Sequence, residues 1–420
     1  MGLNSLTFQA FAPQRRFWDG VANFYKTDRA ISARHGCRAA PRLLNHRPFG
    51  LDRLEQIFRA DSESRLMELF LFHFRQTGST LEHKFVGTKA YGTIDSANVD
   101  VLLTHPEDFG IGLRREIALP MFGDGIFTQE GPDWKHSRDL LRPQLQHKHY
   151  ANLEIFRVAV DDLVQLLATR SGTVDLQPLF SRLTLDTTTA FLFGESTRSL
   201  IDANGDEERV FAAAFDTAQQ WVVKRLRLAA LFWLVDGREF RWACREIHLF
   251  VDQLIDRNLS TKPEKHGFLH AAARTTSDRS ALRAQMVSLL VAGRDTTASL
   301  LSWTIQHWVS QACTALRLYP PVPINTRTAL KTTVLPTGGG PTGTDPVLIP
   351  KGSSVAFSLY AMHRRPDLFG MDAELFRPER WDLECSPGSP KSCYLPFSSG
   401  PRKCLGGEST HDFLQLCSSG

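Results

Sequence analysis

The sequence predicts a mainly α-helical fold with a few short strands, and three observations carry that prediction. Apolar residues recur at helical spacing through most of 96–257, most clearly at 150–169 and 241–257. A further apolar run extends from Met286 to Trp303. Beyond Pro320 the pattern changes to short β-prone segments set between glycines and prolines. With 420 residues, 42% of them hydrophobic and 22% charged, the chain has ample material for a packed core and is not a disordered one. No Ser/Gly linker or internal repeat divides it.

The elements follow in order. Residues 1–30 form a basic N-terminal segment ahead of one domain spanning 31–420. The first sixty residues carry ten Arg/Lys against four Asp/Glu, interspersed with Phe8, Phe11, Phe17, Trp18 and Phe24. Such an end suits either an anionic membrane surface or a solvated arm. No run of eighteen apolar residues occurs, so no transmembrane span is predicted. Leu51 to Arg75 reads as one amphipathic helix ending before Gly78, and Lys84 to Ile94 as two short strands around a turn. Ala298 to Tyr319 contains no Gly or Pro. As one continuous helix it would hold Thr297 and Arg317 about 30 Å apart. Further on, Thr332–Leu335 and Pro346–Ile349 flank a Gly/Pro-rich turn, and Ser353 to Tyr360 is β-prone.

The net charge of +4 is too small to argue for nucleic acid, and no DNA- or RNA-reading motif occurs. The seven cysteines are odd in number and lack paired zinc spacing, which suits free thiols in a reducing compartment.

Chemistry concentrates in Pro396-Phe-Ser-Ser-Gly-Pro-Arg-Lys-Cys-Leu-Gly406. Its spacing Phe-x-x-Gly-x-Arg-x-Cys-x-Gly has ~10⁻⁴ odds of arising by chance in a chain this long. A thiolate at Cys404 needs hydrogen-bond donors and shielding from water. Gly400 and Gly406 remove Cβ atoms that would hold the backbone off a flat ligand. Arg402 offers a permanently charged fork for a carboxylate, and Phe397 an apolar cover for the sulfur. The alternative is a buried structural cysteine in a glycine-rich turn. Two other constellations stand out. Trp134 and Arg138 share one helical face and can grip a single acidic group, or form a surface cation–π pair. Ala292-Gly-Arg-Asp-Thr-Thr297 places helix-unfavourable residues inside a strong helical pattern, which marks either a functional site or a kinked core helix.

Together these motifs resemble the cytochromes P450, whose haem iron has a cysteine thiolate as axial ligand. The likeness runs from about Ile31 to Gly407 and is closest to fungal alkane and fatty-acid ω-hydroxylases. It implies a helical fold with a small mixed β-sheet, haem, and Cys404 as the iron ligand. It assigns Trp134, Arg138 and Arg402 to the haem propionates, with Arg327 beside them. It also implies that Thr296 is the hydroxyl donor of the oxygen-binding groove and that Asp295 relays protons. The implied activity is monooxygenation of an apolar substrate, with electrons from an NADPH-cytochrome reductase. The implied location is the endoplasmic-reticulum membrane surface, although members of this kind begin with a hydrophobic anchor that this chain lacks, which leaves the cytoplasm as the alternative.

Three features depart from the family pattern. The family's Glu-x-x-Arg becomes Thr314-x-x-Arg317, which is expected to leave Arg317 and Arg380 facing each other without their carboxylate, at a cost of about 3–5 kcal/mol. The helices that normally separate Thr297 from Arg317 are absent. Only sixteen residues follow Cys404, so the helix behind it shrinks to about His411–Cys417 and the last substrate-lining strands are missing. These departures imply an incomplete fold and raise a second reading, a non-catalytic remnant with weak or no haem binding. A helical scaffold without haem is the third reading.

Overall fold

The computed structural model describes residues 26–145, 154–201, 206–261, 268–276, 278–306, 312–381 and 393–407. Most of the basic N-terminal segment and the expected helix at 411–417 lie outside them.

Helix α1 spans residues 26–34. The single helix expected over Leu51–Arg75 is two, α2 (Leu51–Ser62) and α3 (Leu66–Thr77). Ser64 adopts a left-handed φ of 56°, and the Arg65 N–H turns back to the Ala60 carbonyl, which ends one helix before the next begins. Strands β1 (Thr80–Phe85) and β2 (Thr88–Thr93) then form the expected hairpin, starting four residues earlier than expected. Val86 and Gly87 both have positive φ, the handedness that matches the twist of a two-residue hairpin.

Helix α4 (Ser96–Thr104) starts at Asp95, whose carboxylate accepts from the Ala97 and Asn98 N–H groups. The two-residue β3 (Phe109–Gly110), which the sequence does not reveal, precedes α5 (Arg114–Phe122) and α6 (Gly131–Leu141). The long helices follow: α7 (Glu154–Ala168), α8 (Gln177–Phe193), α9 (Asp206–Leu228), α10 (Arg238–Thr261), the short α11 (Phe268–Ala273) and α12 (Arg279–Gln306). Their apolar faces make the larger core, including Phe211, Phe215, Phe240, Ile247, Met286 and Leu300. Phe211 stacks on Phe250 across α9 and α10 at 4.1 Å between centroids.

Helix α13 (Ala312–Leu318) corrects the expectation of one continuous helix across Ala298–Tyr319. Trp303 of α12 and Tyr319, just after α13, stack face to face at 3.7 Å between centroids. In one helix those rings would stand about 24 Å apart. The second motif therefore folds back onto α12 without the family's intervening helices.

After α13 come β4 (Ile324–Ala329), β5 (Thr333–Gly339), β6 (Asp345–Ile349) and β7 (Ser354–Ser358), then the single turns α14 (Leu359–Met362) and α15 (Pro366–Phe369). The main sheet has the order β1-β2-β7-β4-β3; only β2 and β7 run parallel, so it is mixed, as the family likeness implies. Strands β5 and β6 form their own antiparallel pair around the expected turn. The smaller core lies under these strands and includes Tyr91, Phe109, Leu335, Ile349 and Phe357. Among the described residues no helix is long and apolar enough to cross a membrane.

Candidate functional site

The segment Leu395–Gly407 is positioned from two sides. On one, the Leu395 N–H donates to Nε2 of His363 at 3.2 Å, and the other nitrogen, Nδ1, lies 3.1 Å from the Arg317 carbonyl. An imidazole that accepts at Nε2 and donates at Nδ1 must be neutral. Burial agrees, holding the His363 pKa down at about 3. On the other side, Arg402 donates to the Gln129 carbonyl at 2.7 Å. Gln129 in turn accepts from Ser137 of α6, which accepts from Gln285 of α12 at 2.7 Å. One loop is thereby registered against α13, α6 and α12.

Within the loop, the Cys404 N–H donates to the Phe397 carbonyl at 2.9 Å, which closes a tight turn. The Gly406 N–H lies 3.4 Å from Cys404 Sγ, a donor of the kind that a thiolate requires. The structure gives Gly400 a different reason from the one expected. Its φ is +68°, and a Cβ there would collide with the Leu103 carbonyl of α4. The cysteine side chain is solvent-accessible, yet protein surrounds it closely enough that burial raises the thiol pKa. The Gly406 N–H, Arg138 and Lys403 pull in the opposite direction.

Positive charge gathers beside that sulfur. Arg138 lies 5.6 Å and Arg402 4.4 Å from the Trp134 ring centroid, so the Trp134–Arg138 pair and the cysteine loop meet on one indole. Arg327 of β4 is buried and donates to Asn325 and to the Thr326 carbonyl at 3.2 and 2.9 Å. Burial first, then the charges of Arg114 and Arg402, bring its pKa down to about 9. The Arg402 pKa falls to about 10, from burial and then Arg114. Burial likewise lowers Arg114 and Arg138. Glu130 is the one carboxylate among the groups acting on Arg114, Arg327 and Arg402, and its Oε1 also accepts from the Ile111 N–H. Sequence reasoning missed Arg114, Glu130 and His363. None sits in a recognisable spacing, and only the fold brings each to the loop.

Asp295 and Thr296 form a separate group on α12. Thr296 donates to the Ala292 carbonyl at 2.6 Å, and the helix is α-helical throughout Arg279–Gln306. A Cβ on Gly293 would press into Thr188 of α8, 2.7 Å from its hydroxyl oxygen, so this glycine permits close helix packing. Asp295 accepts from Gln219 of α9 and from Arg294. No hydrogen bond among the described residues ties Asp295 or Thr296 to the cysteine loop.

The Thr314 position corrects a further expectation. Arg317 is wholly buried and donates to the carbonyls of His363, Ala373 and Leu375 at 2.8, 2.5 and 3.1 Å. Arg380 instead pairs with Asp372 at 2.7 Å. Thr314 accepts from the Trp381 indole N–H at 2.8 Å. Each guanidinium has partners of its own; main-chain oxygens and Asp372 take over from the missing glutamate.

Comparison with known proteins decides the family. The cytochrome P450 family model matches residues 62–310 and 315–408. The chain belongs to the cytochrome P450 family. Similar proteins include a cytochrome P450 of Arthroderma benhamiae, 37% identical over 92% of this chain and 84% of that protein. Cytochrome P450 monooxygenase g430 of a Fusarium species is 35% identical over 90% of this chain and 78% of its own. Cytochrome P450 52A13 of Debaryomyces hansenii is 34% identical over 90% and 83%. P450s are haem-thiolate monooxygenases that take electrons from a redox partner and act on hydrophobic substrates. The match leaves out residues 311–314, where the shortened link joins α13.

Proposed function

We propose that this P450 hydroxylates a long-chain alkane or fatty acid, with electrons from an NADPH-cytochrome reductase, at the surface of the endoplasmic reticulum. The observation that carries the haem-thiolate part is the arginine group beside an accessible Cys404. Burial lowers the proton affinity of Arg114, Arg138, Arg327 and Arg402. Arg114 and Arg402 lower Arg327 further, Arg114 and Arg138 lower Arg402 further, and Glu130 is the acidic neighbour of Arg114, Arg327 and Arg402. Such an excess of buried positive charge is costly until anions arrive. The two propionates of haem are anions of the right chemistry, so these residues fit the group.

Bound haem would supply reductive activation of dioxygen and insertion of one oxygen atom into a C–H bond. Cys404 would hold the haem iron through its sulfur, with the Gly406 N–H directed at that sulfur. Arg138, Arg327 and Arg402 would pair with the propionates, Trp134 adding its indole N–H. Phe397 would cover the sulfur. Thr296 holds its hydroxyl along α12, and rotation of that hydroxyl redirects its proton. Asp295 has a pKa raised by burial, which favours a carboxyl that takes protons up and gives them back. The substrate reading rests on the likeness of Gly123–Trp134 to fungal alkane-inducible members.

The non-catalytic reading drew on the lost glutamate, the deleted link and the short C-terminal end; the first two have structural substitutes in the carbonyl cage and in the folded-back α13. The protein expressed with haem supply, then reduced and exposed to carbon monoxide, should give the red-shifted Soret band of a thiolate ligand. Cys404→Ala should abolish it completely. Failure to incorporate haem would overturn the proposal, and an unchanged band in the variant would refute the ligand.

A further inference from the structure

The segment 123–129, between α5 and α6, is seated directly on α12. A Cβ on Gly123 would lie 2.9 Å from Ala284 Cβ, and one on Gly125 2.7 Å from the Ala284 carbonyl oxygen. Only glycines let the two backbones come this close. Thr128 braces the segment from within, its hydroxyl donating to the Gly123 carbonyl at 2.7 Å.

From this seat three buried polar side chains run towards the cysteine loop. Gln285 of α12, Ser137 of α6 and Gln129 are 4%, 3% and 9% exposed. Their polarity is fixed at one end. The Ile126 main-chain N–H can only donate, so the Gln285 amide oxygen must face it, at 3.1 Å. The Gln285 amide nitrogen then donates to Ser137 Oγ at 2.7 Å, and the Ser137 hydroxyl donates to Gln129 Oε1 at 2.5 Å. The Gln129 amide nitrogen donates to the Asp124 carbonyl at 3.1 Å, and its main-chain N–H to the Gly125 carbonyl at 3.0 Å. So held, Gln129 presents its own carbonyl to Arg402 at 2.7 Å. The face of Trp134, with its centroid 4.4 Å from the guanidinium carbon, supports Arg402 as well.

We infer that Gln285 and Ser137 are positioning residues for Arg402, so that α12 sets where this guanidinium stands to meet haem. The inference rests on the proposed pairing of Arg402 with a propionate. Among the described residues, the polar atoms of the Gln285, Ser137 and Gln129 side chains make no hydrogen bond to Cys404 or to any arginine. Their influence passes through the Gln129 main chain alone. Loss of any link leaves a buried donor or acceptor unmade, which favours a shift of 124–129 that carries the Gln129 carbonyl with it.

The test is a double-mutant cycle on haem retention by the full chain, read as the rate of haem transfer to an acceptor apoprotein. Arg402→Gln alone should speed release by roughly 10–100-fold. Ser137→Ala and Gln285→Met alone should each speed it by roughly 3–10-fold, because Trp134 still supports the guanidinium. In the Arg402→Gln background, neither should add more than a factor of about 2. Full multiplication of the two effects would show that Ser137 and Gln285 act elsewhere, through Arg138 or through packing, and overturns the inference. Unchanged release in either single variant overturns it too. An Arg402→Gln protein that keeps haem as tightly as the unsubstituted one fails differently: it removes Arg402 from the propionates, and the positioning role falls with it. If Gln285→Met does not fold, Ser137→Ala, which removes a single oxygen from α6, completes the cycle on its own.

Discussion

Two arginine groups lie on either side of the cysteine loop, and they solve the problem of buried charge differently. Around Trp134, the guanidinium groups of Arg138, Arg327 and Arg402 crowd together with Arg114, and their charges oppose one another. Behind α13, Arg317 gives its protons to three main-chain carbonyls, Arg364 donates to the Leu318 carbonyl at 2.6 Å, and Arg380 pairs with Asp372. The second group is balanced by the fold itself. The first also donates to the Thr326 and Gln129 carbonyls, yet Arg114, Arg327 and Arg402 share a single acidic neighbour, Glu130. Buried charge completed internally marks architecture, and buried charge left in excess marks a place for an anionic ligand.

Substitutions should separate the two groups by the size of their effects. Arg317→Met removes the donor from three buried carbonyls and should cost about 3–5 kcal/mol of stability, with or without haem, measured by denaturant unfolding. A loss under about 1 kcal/mol would show that the carbonyl cage is not what holds α13. Arg402→Gln should weaken haem retention by roughly 10–100-fold, measured by transfer to an acceptor apoprotein. In the haem-free protein its effect on stability should be small, because relief of repulsion from Arg114 offsets the lost bond to the Gln129 carbonyl. Strong destabilisation of the haem-free form would place Arg402 with the structural group.

The last comparison concerns His363, which joins the structural group to the loop. Its pKa of about 3 lies below the ordinary 6.5, so the folded protein refuses a proton that the unfolded chain accepts. Stability is therefore whole above pH 6.5 and falls as the pH drops towards 3, by about 1.4 kcal/mol per pH unit for this one group. His73 and His83, both lowered to about 4 by burial, add to the same slope down to that pH. His363→Asn should make the slope shallower by about one proton. An unaltered slope between pH 6 and 4 would show that His363 is not its source.

The sequence revealed the parts of the site whose chemistry is local. The cysteine loop, the Trp134–Arg138 pair and the β1–β2 hairpin were legible because spacing or turn residues encode them. Arg114 and Glu130 were not, because they reach Arg327 and Arg402 only through long-range folding. The break between α2 and α3 hinges on a left-handed serine, a residue type that gives little warning. The break before α13 carries no glycine or proline at all. The missing glutamate suggested an unpaired arginine because backbone carbonyls, available in every sequence, cannot be seen as partners until the chain is folded.

The stack of Trp303 on Tyr319 joins positions only sixteen residues apart. Closing so short a loop gives up less chain entropy than closing a longer one, because that loss grows with the logarithm of loop length. Contacts between near neighbours in the chain also form early, since less of the chain must be ordered first. The clasp can thus assemble during folding before the distant strands find each other, and the shortened segment becomes a starting point for the fold rather than a wound in it.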